Sequence, residues 1–156
     1  MFARELGVGF ASFGDYVRKE ATRRGLTNPS HGEVQEVGLS LVVTDLRRFC
    51  ELVLADSGFV PGQGLVIDGI RHLDTVRMLK TLVSPQLLKV VYLENSLADR
   101  LKRSSLTSEE LEKRDSHPVE AETAAIKHIA DLVLDTSVPM EDSFQGLCSW
   151  ALQDCH

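Results

Sequence analysis

The sequence contains no apolar run long enough to cross a membrane, and its N-terminus does not show the pattern of a secretory signal. Cysteine is scarce: the three cysteines, Cys50, Cys148 and Cys155, are odd in number and lack metal-ligand spacing. We therefore expect free or buried thiols in a reducing compartment. Positive charge is also low, since the formal net charge of −6 excludes a broad electrostatic surface for nucleic acid or an acidic membrane. These absences predict a cytoplasmic protein.

The sequence does have the size and composition of an ordinary globular domain. Its 156 residues are 43% hydrophobic and 26% charged, which excludes intrinsic disorder and collagen-like repeats. The chain has no internal repeat and no clear linker. We therefore predict a single domain over residues 1–156.

Short apolar runs alternate with helical patterns along the chain. The predicted strands lie at the centre of residues 8–13 and at residues 65–67, 87–93 and 132–134. The predicted helices cover residues 1–6, 16–24, 31–56, 73–83 and 140–153, with further helical pieces near 96–103, 108–114 and 120–130. The run at 65–67 is compact, apolar and β-branched, as in strands that are buried on both faces. Strands separated by helices predict an α/β fold with three layers, in which helices cover both faces of a parallel sheet.

Arginines, acidic residues and small residues follow the predicted strands, where ligands bind in open α/β sheets. After the first strand come Ser12, Gly14, Asp15 and Arg18; after the second come Asp68, Gly69 and Arg71; after the third come Glu94, Asn95, Arg100 and Arg103; after the fourth come Asp135, Thr136 and Ser137. Guanidinium groups bind phosphate oxygens in pairs, and glycine lets the backbone approach closely. An aspartate at a strand end suits magnesium-assisted phosphoryl transfer.

Each of these features also has a purely structural interpretation. Asp15 and Arg18 are compatible with a helix start and a surface ion pair. The Asp68-Gly69 pair is compatible with an ordinary turn, and the arginines near residue 100 with a solvated helix face. Cys50 lies on the apolar face of its helix, as a core residue would.

Four segments, taken in order, resemble the adenylate kinase-like nucleotide kinases, in the neighbourhood of the dephospho-coenzyme A kinases. Residues 12–18 (SFGDYVR) resemble the family's Ser/Thr-Gly-Asp-x-x-Arg segment, and residues 65–71 (LVIDGIR) resemble its strand that ends in Asp-Gly with a nearby arginine. Residues 90–93, followed by Arg100 and Arg103, resemble a later strand and the start of the lid. Residues 130–137 resemble the last strand and its loop. The resemblance extends over nearly the whole chain.

The resemblance implies ATP-dependent phosphoryl transfer to a nucleoside monophosphate or a similar small acceptor, with Mg²⁺ and a short lid at about residues 100–120. The acceptor-binding residues that it implies are Ser12, Gly14, Asp15, Arg18, Gln35, Gly69 and Arg71, and the catalytic residues are Asp68, Arg100, Arg103 and Arg114. Asp68 would also assist Mg²⁺ indirectly. Such a mechanism uses positioning and charge neutralisation rather than a covalent intermediate.

One departure from the family pattern is large. No segment matches the G-x-x-x-x-G-K-[ST] loop that binds the donor phosphates, and residues 1–7 resemble the end of the helix that follows this loop. The family's first strand, central in its sheet between the strands at 65–67 and 87–93, is also absent, which would leave two strand edges unpaired.

Three hypotheses follow from this departure. The first is a nucleotide kinase whose start precedes Met1. The second is a non-catalytic nucleotide-binding or protein-interaction module, in which a homodimer or a partner chain completes the sheet. The third is an unrelated flavodoxin-like or other doubly wound protein. None of them requires nucleic acid or a membrane as a partner, and the identity of the acceptor stays open.

Overall fold

The protein is described by a computed structural model that covers residues 2–94, 123–136 and 140–152. The chain divides into two compact units. The first unit holds Ala3–Ile70 and Asp74–Leu88, and the second holds Arg71–Leu73 and the chain from Lys89 onward. The predicted lid at residues 100–120, with Arg100, Arg103 and Arg114, lies outside the described residues.

Helices and strands alternate as the sequence predicts. In chain order they are α1 (Phe2–Glu5), β1 (Gly9–Ser12), α2 (Phe13–Arg23), α3 (His31–Asp56), β2 (Leu65–Asp68), α4 (Leu73–Val83), β3 (Val91–Glu94), a 3-10 turn (Lys127–Ile129), β4 (Leu132–Asp135) and α5 (Met140–Leu152). The α/β class is therefore confirmed. None of the helices within the described ranges has the length and apolar character that a membrane span requires.

The described strands form two parallel pairs rather than one continuous sheet. In the first unit β1 pairs with β2, and in the second unit β3 pairs with β4. The register of the first pair aligns Ala11 with Ile67, and that of the second aligns Tyr92 with Val133. Parallel neighbours joined through helices are what the α/β prediction requires. The three-layer sheet in which all four strands take part stays a prediction.

The core of the first unit lies where α2 and α3 pack against the β1–β2 pair. Its buried members are Ala11, Phe13, Tyr16, Val17, Ala21, Val37, Phe49, Cys50, Val53, Leu54, Leu79 and Val83. The ring of Phe49 meets the ring of Phe13 edge-on, with centroids 5.1 Å apart, a geometry that aromatic pairs prefer. The same ring lies 5.9 Å from that of Tyr16. These contacts attach the second half of α3 to the start of α2.

Helix starts are set by side-chain caps. Helix α2 begins at Phe13, three residues before the predicted start at residue 16, because the hydroxyl of Ser12 accepts a hydrogen bond from the Asp15 backbone N–H. Helix α3 begins with the predicted capping box, in which Ser30 and Glu33 exchange hydrogen bonds. Its predicted end at residue 56 is also confirmed.

Two strand predictions need correction. The third strand begins at Val91 instead of Leu87, since Gln86 closes a turn onto Val83 and leaves Leu87 exposed. Just before β3, the Val90 backbone N–H donates to the Asp131 carboxylate at 2.6 Å, so the partner of this N–H is a side chain. The second strand is partly exposed along its length instead of buried on both faces, because among the described residues its sheet contains only one other strand.

The second unit buries little apolar surface among its described residues. Val90 and Ile126 are buried, while Leu93 on β3 stays largely exposed. The ammonium group of Lys89 lies 4.7 Å from the centre of the Trp150 ring on α5, within the range of a cation–π contact. That contact lies next to the start of β3, and Trp150 is half-buried.

Candidate functional site

Two segments that are far apart in sequence meet at the carboxyl ends of β1 and β2. The register places Ser12, the last residue of β1, opposite Asp68, the last residue of β2. The chain then turns into α2 after Ser12 and into the Gly69 turn after Asp68. Because carboxyl ends of parallel strands share one edge, the polar residues after both strands are brought together. The segments that follow β1 and β2 are therefore neighbours at this edge.

Gly69 permits the close approach of these two segments. Its φ of +80° lies in the left-handed region that side chains avoid, and a Cβ built there would lie 3.2 Å from the backbone nitrogen of Gly14. A side chain at position 69 would therefore have to push the start of α2 away. On the other side of this contact, a Cβ at Gly14 would lie 3.5 Å from Nη1 of Arg18. Arg18 thus lies over a glycine backbone at the start of α2.

Asp15 and Arg18 form an ion pair on the first turns of α2. Nη1 of Arg18 donates to Oδ1 of Asp15 at 2.8 Å, and both side chains are more than half exposed. Within the described parts of the chain, Arg18 uses only this nitrogen of its side chain, so its other N–H groups can bind a ligand oxygen. A guanidinium held beside helix N–H groups and glycine backbone suits a phosphate or another anion.

A shallow recess of about 140 Å³ lies along β1 beside this edge. Its lining residues are Phe10, Ala11, Ser12, Asp15, Lys19, Val53, Asp56 and Ser57. Lys19 on α2 and Asp56 at the end of α3 form an ion pair across it at 2.8 Å. Sequence reasoning missed both residues. The sequence signal for Lys19 was its position one helical turn after Asp15. Asp56 had no such signal, because only the packing of α3 on α2 brings it to Lys19.

Several predicted site residues lie away from this cluster or have different partners. Gln35 is half-buried on the first turns of α3, and none of the contacts described for the first unit joins it to Asp15 or Arg18. Arg71 belongs to the second unit, where its carbonyl oxygen accepts a hydrogen bond from the Thr123 hydroxyl at 3.2 Å. Asp68 is exposed at the end of β2.

A second polar cluster lies at the carboxyl ends of β3 and β4. Lys127 forms an ion pair with Glu94, and the hydrogen bond from Lys127 raises the pKa of its own ammonium group. Thr136, directly after β4, donates to the Glu94 carbonyl oxygen from both its backbone N–H, at 2.8 Å, and its hydroxyl, at 2.9 Å. These bonds join the ends of the two strands, so the cluster has an evident structural role.

Two chemical classes can be assessed from the described residues. Burial raises the pKa of the Cys50 thiol to about 11, so Cys50 is a neutral core group at physiological pH, and its helix-face prediction is confirmed. Within the described ranges, no three histidine, cysteine, aspartate or glutamate side chains are grouped as a metal site. A lone exposed carboxylate such as Asp68 still suits Mg²⁺ that keeps its waters and binds substrate phosphates.

The chain was compared with known protein families and with characterised proteins. No family model matches it, and no curated protein is similar to it at a significant level.

Proposed function

We propose that this chain is a nucleotide kinase-like protein that binds a nucleoside monophosphate, or a similar small phosphate-bearing acceptor, at the carboxyl ends of β1 and β2. One observation carries the proposal: residues 12–18 and 68–69, which are distant in the sequence, meet at this edge in the Gly69–Gly14 contact. These are two of the four segments that resemble the family. The two segments can contact the same acceptor molecule only if they lie close together.

The finer architecture belongs to the same proposal. We propose the three-layer parallel sheet of the family, with its first strand between β2 and β3. The pairing of β1 with β2 and of β3 with β4 supports this arrangement. If the first strand is removed from the family's sheet, these two strand pairs remain. Isolated parallel pairs are rare, since parallel sheets are normally covered on both faces and extended at their edges.

The roles of the residues follow from their chemistry. Arg18 binds the acceptor phosphate, and Asp15 orients Arg18 through the 2.8 Å ion pair. Gly14 and Gly69 allow backbone N–H groups to approach the acceptor. Asp68 assists Mg²⁺, while Arg100, Arg103 and Arg114 neutralise the transferring group. ATP with Mg²⁺ supplies the phosphoryl group, and no segment of this sequence matches the G-x-x-x-x-G-K-[ST] loop that would hold the donor phosphates.

The experiment is a calorimetric titration with AMP, other nucleoside monophosphates, dephospho-coenzyme A and inorganic phosphate. We expect Arg18→Ala to weaken binding of the preferred acceptor by about 10-fold or more, because a hydrogen bond to a charged group contributes about 1.5–3 kcal/mol. Arg77→Ala is the matched control, since Arg77 pairs with Asp74 at 2.9 Å on α4 with similar exposure. Equal affinities in the two variants, or no binding of any of these compounds, would refute the site.

A second candidate function is a non-catalytic nucleotide-binding or protein-interaction module of the same fold. The observation that favours it is the lack of a G-x-x-x-x-G-K-[ST] segment anywhere in the sequence. A homodimer or a partner chain would then complete the sheet. ADP formation from ATP and Mg²⁺ in the presence of the bound acceptor separates the two: turnover that is lost in Asp68→Asn supports the kinase, and acceptor binding without turnover supports the module.

A further inference from the structure

Helix α3 contains a break near its middle. Asp45 has φ −161° and ψ 86°, an extended conformation within the helical span His31–Asp56. Val42, Val43 and Thr44 precede it, and three consecutive β-branched residues weaken a helix. The Asp45 carboxylate accepts a hydrogen bond from the Arg48 backbone N–H at 2.8 Å. This is the geometry of an N-cap, so a new helix starts after Asp45.

The two parts of α3 are held very differently. In the part after the break, residues 46–56, the side chains of Phe49, Cys50, Val53 and Leu54 are all buried in the core. The part before it, residues 31–44, has one buried side chain, Val37. Segments with fewer buried contacts open at lower free energy than the core does.

The contacts of residues 31–44 with α2 are correspondingly light. A Cβ on Gly38 would meet Val17 at 3.6 Å, which shows that the two helices approach closely there through a residue without a side chain. Nη1 of Arg24 donates to the Ser40 hydroxyl at 2.9 Å. Just before the break, Val43 is 77% exposed, and its neighbours Leu41 and Val42 pack against the core but are only partly buried.

We propose that α3 works as two helices hinged at Asp45, and that residues 31–44 open and close on α2 independently of residues 46–56. The device consists of the separate cap at Asp45, the β-branched run before it, and the unequal burial on its two sides. The hinge proposal does not depend on the proposed acceptor site. If that site is correct, the moving segment carries Gln35, and opening would change the access of the acceptor to it.

Native-state amide hydrogen exchange on the full chain tests the hinge. In the wild type we expect the amides of residues 34–44 to share one opening free energy, lower than that of residues 49–54. Ser30→Ala, which removes the cap of the first segment, should speed exchange of residues 34–44 by about fivefold, the change that corresponds to a lost N-cap of about 1 kcal/mol. Exchange of residues 49–54 should stay unchanged.

Ser57→Ala is the matched control at the other end of α3, where the Ser57 hydroxyl donates to the Leu54 carbonyl oxygen at 2.7 Å. We expect this variant to speed exchange near residues 52–56 and to leave residues 34–44 unchanged. The hinge is overturned if the wild type shows one opening free energy from residue 34 to residue 54. It is equally overturned if Ser30→Ala accelerates both parts of α3 by the same factor.

Discussion

Substituting Gly69 by alanine tests whether the contact between the two post-strand segments is as tight as described. The substitution has two separate costs. An alanine at φ +80° loses about 1–2 kcal/mol, because its Cβ crowds the following carbonyl oxygen. The new Cβ also lies 3.2 Å from the Gly14 nitrogen, which is backbone and cannot rotate away, and such overpacking costs about 1–3 kcal/mol more.

Gly58 provides the matched control for this substitution. It too has a positive φ, +70°, but a Cβ built there meets nothing within 4 Å. Gly58→Ala therefore carries only the conformational cost of about 1–2 kcal/mol. Both glycines belong to the first compact unit, so the same unfolding transition reports on both variants.

Urea unfolding followed by far-ultraviolet circular dichroism measures the difference. We expect Gly69→Ala to lower the free energy of unfolding by at least about 1 kcal/mol more than Gly58→Ala does. If the two variants lose the same free energy, the approach of Gly69 to Gly14 is not tight enough to affect stability, and the two segments do not meet as described. A change in the urea dependence itself would point instead to an altered unfolded or native state.

Two further predictions concern titratable groups. Hydrogen bonds from the hydroxyl and backbone N–H of Ser30 hold the pKa of Glu33 below its ordinary value of 4.5. The resulting stability is present above that value and is lost as the pH falls through the folded-state pKa. We therefore expect Glu33→Gln to flatten this part of the stability–pH curve, and an unaltered curve would contradict the assignment. Burial raises the pKa of the Cys50 thiol to about 11. We therefore expect iodoacetamide at pH 8 to modify the partly exposed Cys148 in the folded protein, and to modify Cys50 only after unfolding. Peptide mapping by mass spectrometry measures both rates, and equal rates in the folded protein would show that Cys50 is accessible.

Local signals in the sequence predicted local structure well. The Ser30–Glu33 spacing located the start of α3, and the apolar period located its end at residue 56. The bounds of α4 agree with the prediction at both ends. In these cases the cap or the stop lies within a few residues of the element that it bounds, so no tertiary information was needed.

Predictions failed where two local signals compete or where a distant contact decides the outcome. The break at Asp45 comes from a local side-chain cap that competes with the continuing helix, while the apolar period continues through it. The backbone N–H of Val90, just before β3, binds the carboxylate of Asp131, 41 positions away. The recess residues Lys19 and Asp56 pair across 37 positions. The partners of Val90 and of Lys19 cannot be read from a local window.

The sequence by itself determined the α/β alternation of helices and strands, the helix caps and the polar residues that follow each strand, because each depends on neighbouring side chains and on the period of apolar residues. Only the tertiary structure decided which strands pair, that Gly69 approaches Gly14, and that Asp56 lies opposite Lys19. The physical reason is that strand pairing and close backbone approach are contacts between distant segments. Their free energy depends on how α2 and α3 pack on the β1–β2 pair, which is a property of the folded chain.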